Sequence, residues 1–190
     1  MANNIHPTAI IYPGVQLGNN IFIGPYCIIG IPPESREFDG TAGAGVIIGD
    51  GVWIHGHNTI DAGTVGPTII GEGCYLMKQV HLGHDVVLHE QVTIAPGAVI
   101  CGHAVIGKGC NIGVNATVRN RVKVPEHVRI GMSAVICAKT EMHPHQVYAG
   151  NPAKWLKAWI KPVKADSFHC VALQEEQPRC EKQCPACARK

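Results

Sequence analysis

The chain has 190 residues, of which 46% are hydrophobic, and a formal net charge of +2, so it can bury one sizeable core. A charge this close to zero provides no basic patch for a nucleic-acid backbone, and no apolar run reaches the roughly 18 residues that suggest a membrane span. Residues 1–8 lack the basic and apolar regions of a secretory signal. We therefore expect one main domain in a cytoplasmic protein, with no nucleic-acid partner and no membrane insertion.

The dominant feature of the sequence is an internal repeat with a period of six residues. An aliphatic residue recurs at every sixth position, and a small or branched companion residue follows it four positions later. Neither a helix, with a period of about 3.6, nor a flat strand, with a period of 2, explains this pattern. The aliphatic positions are Ile5, Ile11, Leu17, Ile23, Ile29, Ile48, Ile54, Ile60, Ile70, Leu76, Leu82, Leu88, Ile94, Ile100, Ile106, Ile112, Val118, Val124, Ile130 and Ile136.

A triangular coil built from three hexads explains the repeat. The aliphatic side chains then stack into interior ladders, with successive coils about 4.8 Å apart. The sequence predicts an all-β parallel β-helix, and similarity to known hexapeptide-repeat families implies that it is left-handed. Cys27, Cys74 and Cys110 occupy companion positions, so they are predicted to be small buried side chains rather than metal ligands, and no metal is expected in the β-helix.

The β-helix is predicted to cover residues 1–141, with two interruptions of the repeat. Residues 31–45 form a loop insertion rich in proline and glycine, which predicts a functional or mobile segment. A shorter interruption of four residues is assigned to 66–69. Long surface loops often carry binding residues, so the longer insertion is a candidate part of a site.

Beyond the repeat, residues 142–161 are predicted to form an exit loop and a short C-terminal α-helix. Asn151 would be the N-cap and Pro152 the first helical residue, and the helix would cover the open end of the β-helix. Residues 162–190 form a cysteine-containing tail. A disordered tail with incidental thiols is one interpretation, and a small zinc site is the other. The zinc site would use Cys180, Cys184 and Cys187.

The candidate active site lies in the stretch His81-Leu82-Gly83-His84-Asp85, whose polar side chains fall outside the core positions of the repeat. Residues 18 apart lie in one column, so Asp85 should stack beside His103, and His84 beside Gly102. A carboxylate next to an imidazole fixes its tautomer, as a general base requires, and a glycine leaves its backbone N–H approachable as an oxyanion donor. No nucleophilic serine or cysteine accompanies them. The pattern favours direct attack by a hydroxyl or amine on a thioester.

Three segments, residues 5–10, 20–30 and 76–85, resemble the UDP-N-acetylglucosamine O-acyltransferases of lipid A biosynthesis. The resemblance implies that His84 is the general base, that Asp85 is its acidic partner and that His81 lines the sugar and acyl site. It also implies that the Gly102 amide serves the oxyanion. His103 follows Gly102 in the same phrase and is predicted to bind substrate.

The same resemblance implies further binding residues and partners. Residues 33–36 resemble the nucleotide-sugar loop, which makes Arg36 a substrate-binding candidate together with Lys78 and Gln79. Similar enzymes are homotrimers with sites between subunits. They use an acyl thioester of acyl carrier protein or coenzyme A as cosubstrate, with no tightly bound cofactor. Residues 148–154 resemble hexapeptide acetyltransferases that use acetyl-CoA, which makes two residues donor-binding candidates: Asn151 and Lys154.

The sequence also departs from that family and leaves alternatives open. A family histidine falls at Asp61, and another falls near Arg119. The spacing of His84 and His89 resembles the zinc histidines of γ-class carbonic anhydrases, but the third ligand of that family would also fall near Asp61. A trimeric β-helix that serves only as a scaffold is the non-enzymatic alternative.

Overall fold

The computed structural model describes residues 2–34 and 43–159. These residues form 22 short strands and no helix. The strands are β1 (Asn4–Ile5), β2 (Ile10–Ile11), β3 (Val15–Leu17), β4 (Phe22–Ile23), β5 (Ile28–Ile31), β6 (Val46–Ile48), β7 (Trp53–Ile54), β8 (Thr59–Asp61), β9 (Thr68–Ile70), β10 (Tyr75–Leu76), β11 (His81–Leu82), β12 (Val87–Leu88), β13 (Thr93–Ile94), β14 (Val99–Ile100), β15 (Val105–Ile106), β16 (Asn111–Ile112), β17 (Thr117–Val118), β18 (Lys123–Val124), β19 (Arg129–Ile130), β20 (Val135–Ile136), β21 (Gln146–Ala149) and β22 (Lys154–Ala158).

Successive strands belong in turn to three parallel sheets, which form the sides of a coil. The first sheet runs β1-β4-β7-β10-β13-β16-β19-β21-β22, the second β2-β5-β8-β11-β14-β17-β20, and the third β3-β6-β9-β12-β15-β18. In the uninterrupted part, each residue pairs with the one 18 positions later, as His81 does with Val99. The parallel β-helix predicted from the hexads is confirmed.

The interior of the coil is filled by the two ladder positions of each hexad. Leu82 and Ile100 are completely buried, and the companion cysteines Cys27, Cys74 and Cys110 are at most 1% exposed. Burial raises the pKa of the Cys74 and Cys110 thiols to about 11. These thiols are therefore protonated core side chains at neutral pH, as their position in the repeat predicted.

The shorter interruption lies earlier than the repeat count indicated. Thr68 pairs with Val46 and is completely buried at the start of β9, so it occupies the companion position. Thr64, which the count assigned to that position, lies outside the core and bonds the Asp85 side chain. The prediction of 66–69 was wrong because a threonine fits the companion position at either place, and periodicity alone cannot choose between them.

Both interruptions fall at the same corner of the coil, where the chain passes from the second sheet to the third. Residues 32–45 connect β5 to β6, and residues 62–67 connect β8 to β9. One coil further along, the same corner consists of residues 83–86, between β11 and β12. We call this edge of the β-helix the site corner. It places both interruptions of the repeat beside the histidine–aspartate stretch.

The predicted C-terminal α-helix is absent from the described residues. Its place is taken by a hairpin, in which β21 pairs with β19 in parallel and β22 returns antiparallel to β21. Without the hairpin, strand β19 would leave its backbone groups unpaired at the end of the first sheet. The need to pair these groups outweighs the local helix signals. Trp155 and Leu156 are 60% and 58% exposed rather than packed as a helical face. The tail 162–190, with its cysteines, lies outside the described residues.

Candidate active site

The site corner brings the predicted polar residues of consecutive coils into columns. Asp85 and His103 both have left-handed backbone, with φ values of 57° and 58°. The His103 N–H donates to the His84 carbonyl over 2.9 Å, which ties the two coils together. The two imidazoles meet edge to face, with ring centroids 4.9 Å apart. Stacking at intervals of 18 residues therefore places His84, Asp85 and His103 in one cluster.

The Asp85 carboxylate is held by a cage of donors from residues 62–67. Its Oδ2 accepts from the Thr64 N–H at 2.9 Å and the Thr64 hydroxyl at 2.6 Å. Its Oδ1 accepts from the Val65 and Gly66 N–H groups at 2.8 and 2.9 Å. Burial by itself would raise the pKa of Asp85, but these donors and His84 outweigh it and hold the pKa well below its usual range. Asp85 is therefore a permanently ionised anchor.

The hydrogen bond between Asp85 and His84 fixes the tautomer of the His84 imidazole. His84 Nδ1 lies 2.8 Å from Asp85 Oδ2, and an ionised carboxylate can only accept, so Nδ1 carries the proton. In the neutral imidazole, Nε2 is then an unprotonated base. The His84 side chain is 22% exposed, so this nitrogen remains accessible to a ligand.

Two glycines allow the His84 ring and the next coil to pack closely together. A side chain at Gly102 would place its Cβ 2.7 Å from His84 Nε2, and one at Gly83 would place its Cβ 2.9 Å from the Gly102 nitrogen. Within the described residues, the Gly102 N–H has no hydrogen-bond acceptor. A free donor thus lies beside an unprotonated imidazole nitrogen, which is the pair that acyl transfer requires.

His81 lies on the outer face of β11, the strand that leads directly into the site corner. Its Nδ1 is 2.8 Å from the Thr59 hydroxyl, on the adjacent strand β8. Asp61, at the end of β8, is only 3% exposed. Burial raises the pKa of Asp61, and the nearby His81 imidazole opposes that shift. The site therefore contains a second carboxyl group whose electrostatic environment is opposite to that of Asp85.

The other predicted residues lie at varying distances from this cluster. Lys78 and Gln79 are exposed at the preceding corner, between β10 and β11. Asn151 and Lys154 lie in the β21–β22 hairpin, which packs beside Val135 of β20. Val135 is three rungs along the second sheet from His81, or roughly 14 Å at the usual strand spacing. Arg36 lies outside the described residues.

The sequence did not reveal the cage residues Thr64, Val65 and Gly66, nor the roles of Thr59 and Gly83. The interruption of the repeat was a signal for the cage, because extra residues at one corner must serve something there. Asp61 was noticed only as a departure from a family pattern. No local motif indicated that residues 62–67 would bend back around the carboxylate of Asp85, since the two are brought together by stacking of coils.

The spacing of the cluster also bears on metal binding. Side-chain ligand atoms of His84, Asp85 and His103 lie within 4.8 Å of one another. The Asp85 oxygens, however, already accept from the residue 62–67 cage and from His84, so a cation would have to compete with these donors. His89 follows β12 at the next corner and does not join this group among the described residues. The arrangement favours proton transfer over metal coordination.

The fold and repeat define a left-handed parallel β-helix built from six-residue repeats. The family model for bacterial transferase hexapeptide (six repeats) matches residues 67–102. A structure of a UDP-N-acetylglucosamine acyltransferase from Bacteroides fragilis superposes with a TM-score of 0.78 at 26% identity, covering 83% of this chain and 61% of that one. A Campylobacter jejuni enzyme of the same name, at 24% identity and a TM-score of 0.70, supports the fold.

Sequence relatives carry the same kind of name. The chain is 29% identical over 140 residues to an acyl-[acyl-carrier-protein]–UDP-N-acetylglucosamine O-acyltransferase from Thermodesulfovibrio yellowstonii, covering 53% of this chain and 54% of the relative. A Campylobacter concisus protein of that name is 32% identical over 91 residues, covering 46% of this chain and 35% of its own length. The chain spans about half the length, or less, of these relatives.

Proposed function

We propose that this protein is an acyltransferase that moves an acyl group from a thioester to a hydroxyl or amine of a nucleotide sugar such as UDP-N-acetylglucosamine. The names of its relatives support the reaction class. The observation that carries the proposal is the His84 imidazole, which is held through Nδ1 by an ionised Asp85 while its Nε2 end lies against Gly102 of the next coil.

The geometry supports a direct transfer. His84 Nε2 takes the proton of the acceptor as its oxygen or nitrogen attacks the thioester carbonyl. The Gly102 N–H stabilises the negative charge that develops on the carbonyl oxygen. When the carbon–sulfur bond breaks, the imidazolium returns the proton to the thiolate. Asp85 stays ionised throughout, because its cage of donors opposes protonation, and it stabilises the imidazolium formed during the reaction.

The proposal includes the surroundings of this centre. His81, His103, Lys78, Gln79 and Arg36 would contact the nucleotide sugar, and Asn151 and Lys154 the donor, which is acyl carrier protein or a coenzyme A thioester. No tightly bound cofactor is required. The working form would be a cytoplasmic homotrimer, with the site corner of one chain facing its neighbour. No helix of the described residues is long and apolar enough to cross a membrane.

The central test measures acylation of UDP-N-acetylglucosamine by mass spectrometry, using acyl carrier protein and coenzyme A thioesters in parallel. We expect His84→Ala to lower kcat by about 10²- to 10⁴-fold, since general-base assistance is lost. His89→Ala, which alters an exposed imidazole at another corner, should leave kcat within roughly twofold, since surface substitutions away from a site have small effects.

Two outcomes would contradict the proposal. Equal activity of wild type and His84→Ala would rule out His84 as the general base, and no acylation by either protein would favour a scaffold role. Stoichiometric zinc that is lost in His89→Ala, together with CO2 hydration, would favour the carbonic anhydrase alternative. The same preparation tests the assembly by light scattering, where the homotrimer predicts three times the 20.3 kDa mass of the chain.

A further inference from the structure

Asp61 is a buried acid at the centre of the proposed acceptor site. Thr59 and Ile60 pair with His81 and Leu82, so the same register places Asp61 beside Gly83, between the two histidines of the stretch. Its side chain is 3% exposed. Buried carboxyl groups are costly unless they are paired, so a carboxyl at this place calls for a partner.

The groups around Asp61 show what kind of additional partner its carboxyl group would bind. His81 and His84 lie near enough to act on its charge, as does the carboxylate of Glu34, and the Glu34 backbone N–H bonds it. Glu34 itself is exposed at the rim. His81 already faces the Thr59 hydroxyl and His84 faces Asp85 through their Nδ1 atoms. Asp61 and Glu34 together therefore add negative charge on the acceptor side, and no lysine or arginine of residues 2–34 and 43–159 is among the groups acting on Asp61.

We propose that Asp61 selects an acceptor whose nucleophile is an amine, so that the preferred substrate is a nucleotide-linked amino sugar with the amine on the carbon to be acylated. This inference rests on the proposed function and narrows its substrate class. An ammonium group supplies both a positive charge and hydrogen-bond donors to the buried carboxylate. A hydroxyl supplies one donor and no charge, so it compensates the buried acid less well.

The carboxyl group also completes the proton balance that an amine acceptor needs. The bound ammonium gives one proton to the Asp61 carboxylate and becomes a neutral amine with a free electron pair. Burial raises the pKa of Asp61, which makes it a better proton acceptor than an exposed aspartate. The amine attacks the thioester carbonyl, His84 takes the second proton, and that proton goes to the departing thiolate. Asp61 releases its proton to solvent after the amide product leaves.

The test compares two nucleotide sugars that differ only in an amine or a hydroxyl at the acylated carbon. With the full chain and whichever thioester supports turnover, we expect wild type to show a kcat/KM at least about tenfold higher for the amine. Asp61→Asn should lower the amine kcat/KM by about tenfold or more and change the hydroxyl value by less than about threefold. Asp61→His should shift the preference towards the hydroxyl.

The controls separate this inference from the function on which it rests. Glu72→Gln removes one exposed carboxylate at another corner and should leave the amine-to-hydroxyl ratio unchanged. A wild type that acylates both sugars without preferring the amine, or an Asp61→Asn variant that slows both equally, overturns the inference alone. Acylation of neither sugar overturns the proposed function, and the inference with it.

If Asp61→Asn folds poorly, the inference is tested by measuring binding of the amine sugar to Asp61→His by calorimetry. An affinity equal to that of wild type contradicts the role of the carboxylate.

Discussion

At the scale of single residues, the site depends on the absence of a side chain at Gly102 as much as on the side chains of His84 and Asp85. Gly102 permits the His84 ring to lie against the next coil, because a Cβ there would come within 2.7 Å of Nε2. His84 in turn owes its tautomer to one contact, with Asp85 Oδ2. The sequence indicated both pairings, since the register of 18 residues stacks Gly102 on His84 and Asp85 follows His84 directly. It could not show that the pair would be in contact.

Gly102→Ala tests whether the position of the imidazole matters. The added methyl group would displace the His84 ring, and misplacement by about 1 Å can reduce kcat about 100-fold. Gly73→Ala is the matched control, because Gly73 has a left-handed φ of 65° at another corner and a Cβ there meets only an ordinary contact. It should lower the melting temperature while leaving kcat unchanged. The interpretation fails if Gly102→Ala retains full activity in steady-state kinetics.

At the scale of elements, the connection between β8 and β9 is built around one carboxylate. Residues 62–67 supply the donors to Asp85, and this segment is itself held by neighbouring backbone, as in the bond from the Gly63 N–H to the Gly45 carbonyl. The interruption of the repeat was visible in the sequence, but its position was off because threonine fits the core at either place. The hairpin that replaced the predicted helix has a similar origin, since the open edge of β19 lies far along the chain from Trp155.

Thr64→Val tests the cage directly. The change removes the hydroxyl that donates to Asp85 over 2.6 Å while keeping the backbone N–H. Because hydrogen bonds to charged groups contribute about 1.5–3 kcal/mol, we expect a comparable loss of unfolding free energy and a lower kcat. Thr93→Val, on the outer face of β13, makes the same chemical change away from the cage. Equal effects of the two substitutions on kcat would show that the cage does not act on His84.

At the scale of the whole molecule, stability is carried by stacked coils, and two carboxyl groups make it depend on pH in opposite directions. The pKa of Asp85 is lowered in the folded state, so its contribution is present above the ordinary carboxyl range, near pH 4, and is lost as the pH falls through its folded pKa. The pKa of Asp61 is raised, so the folded state is favoured at low pH and loses that advantage as the pH rises through the folded pKa.

Melting temperatures measured between about pH 2 and pH 8 check these signs, using a range that brackets the ordinary carboxyl pKa of about 4. Asp85→Asn should destabilise most at the upper end and progressively less towards the lower end. Asp61→Asn should gain stability relative to wild type as the pH rises, because the buried charge is no longer formed. A difference from wild type that is independent of pH, in either variant, would contradict the assigned environment of that carboxyl group.

Periodicity was sufficient to define the coil, its buried ladders and the column that joins His84 to Gly102, because stacking at every 18 residues follows from the hexads alone. Three features needed the tertiary structure: the cage around Asp85, the burial of Asp61 between two histidines, and the terminal hairpin. Each depends on segments from different coils or different ends of a sheet, where the strand edges and charges that must be satisfied are distant in sequence. Local pattern carries no information about those partners.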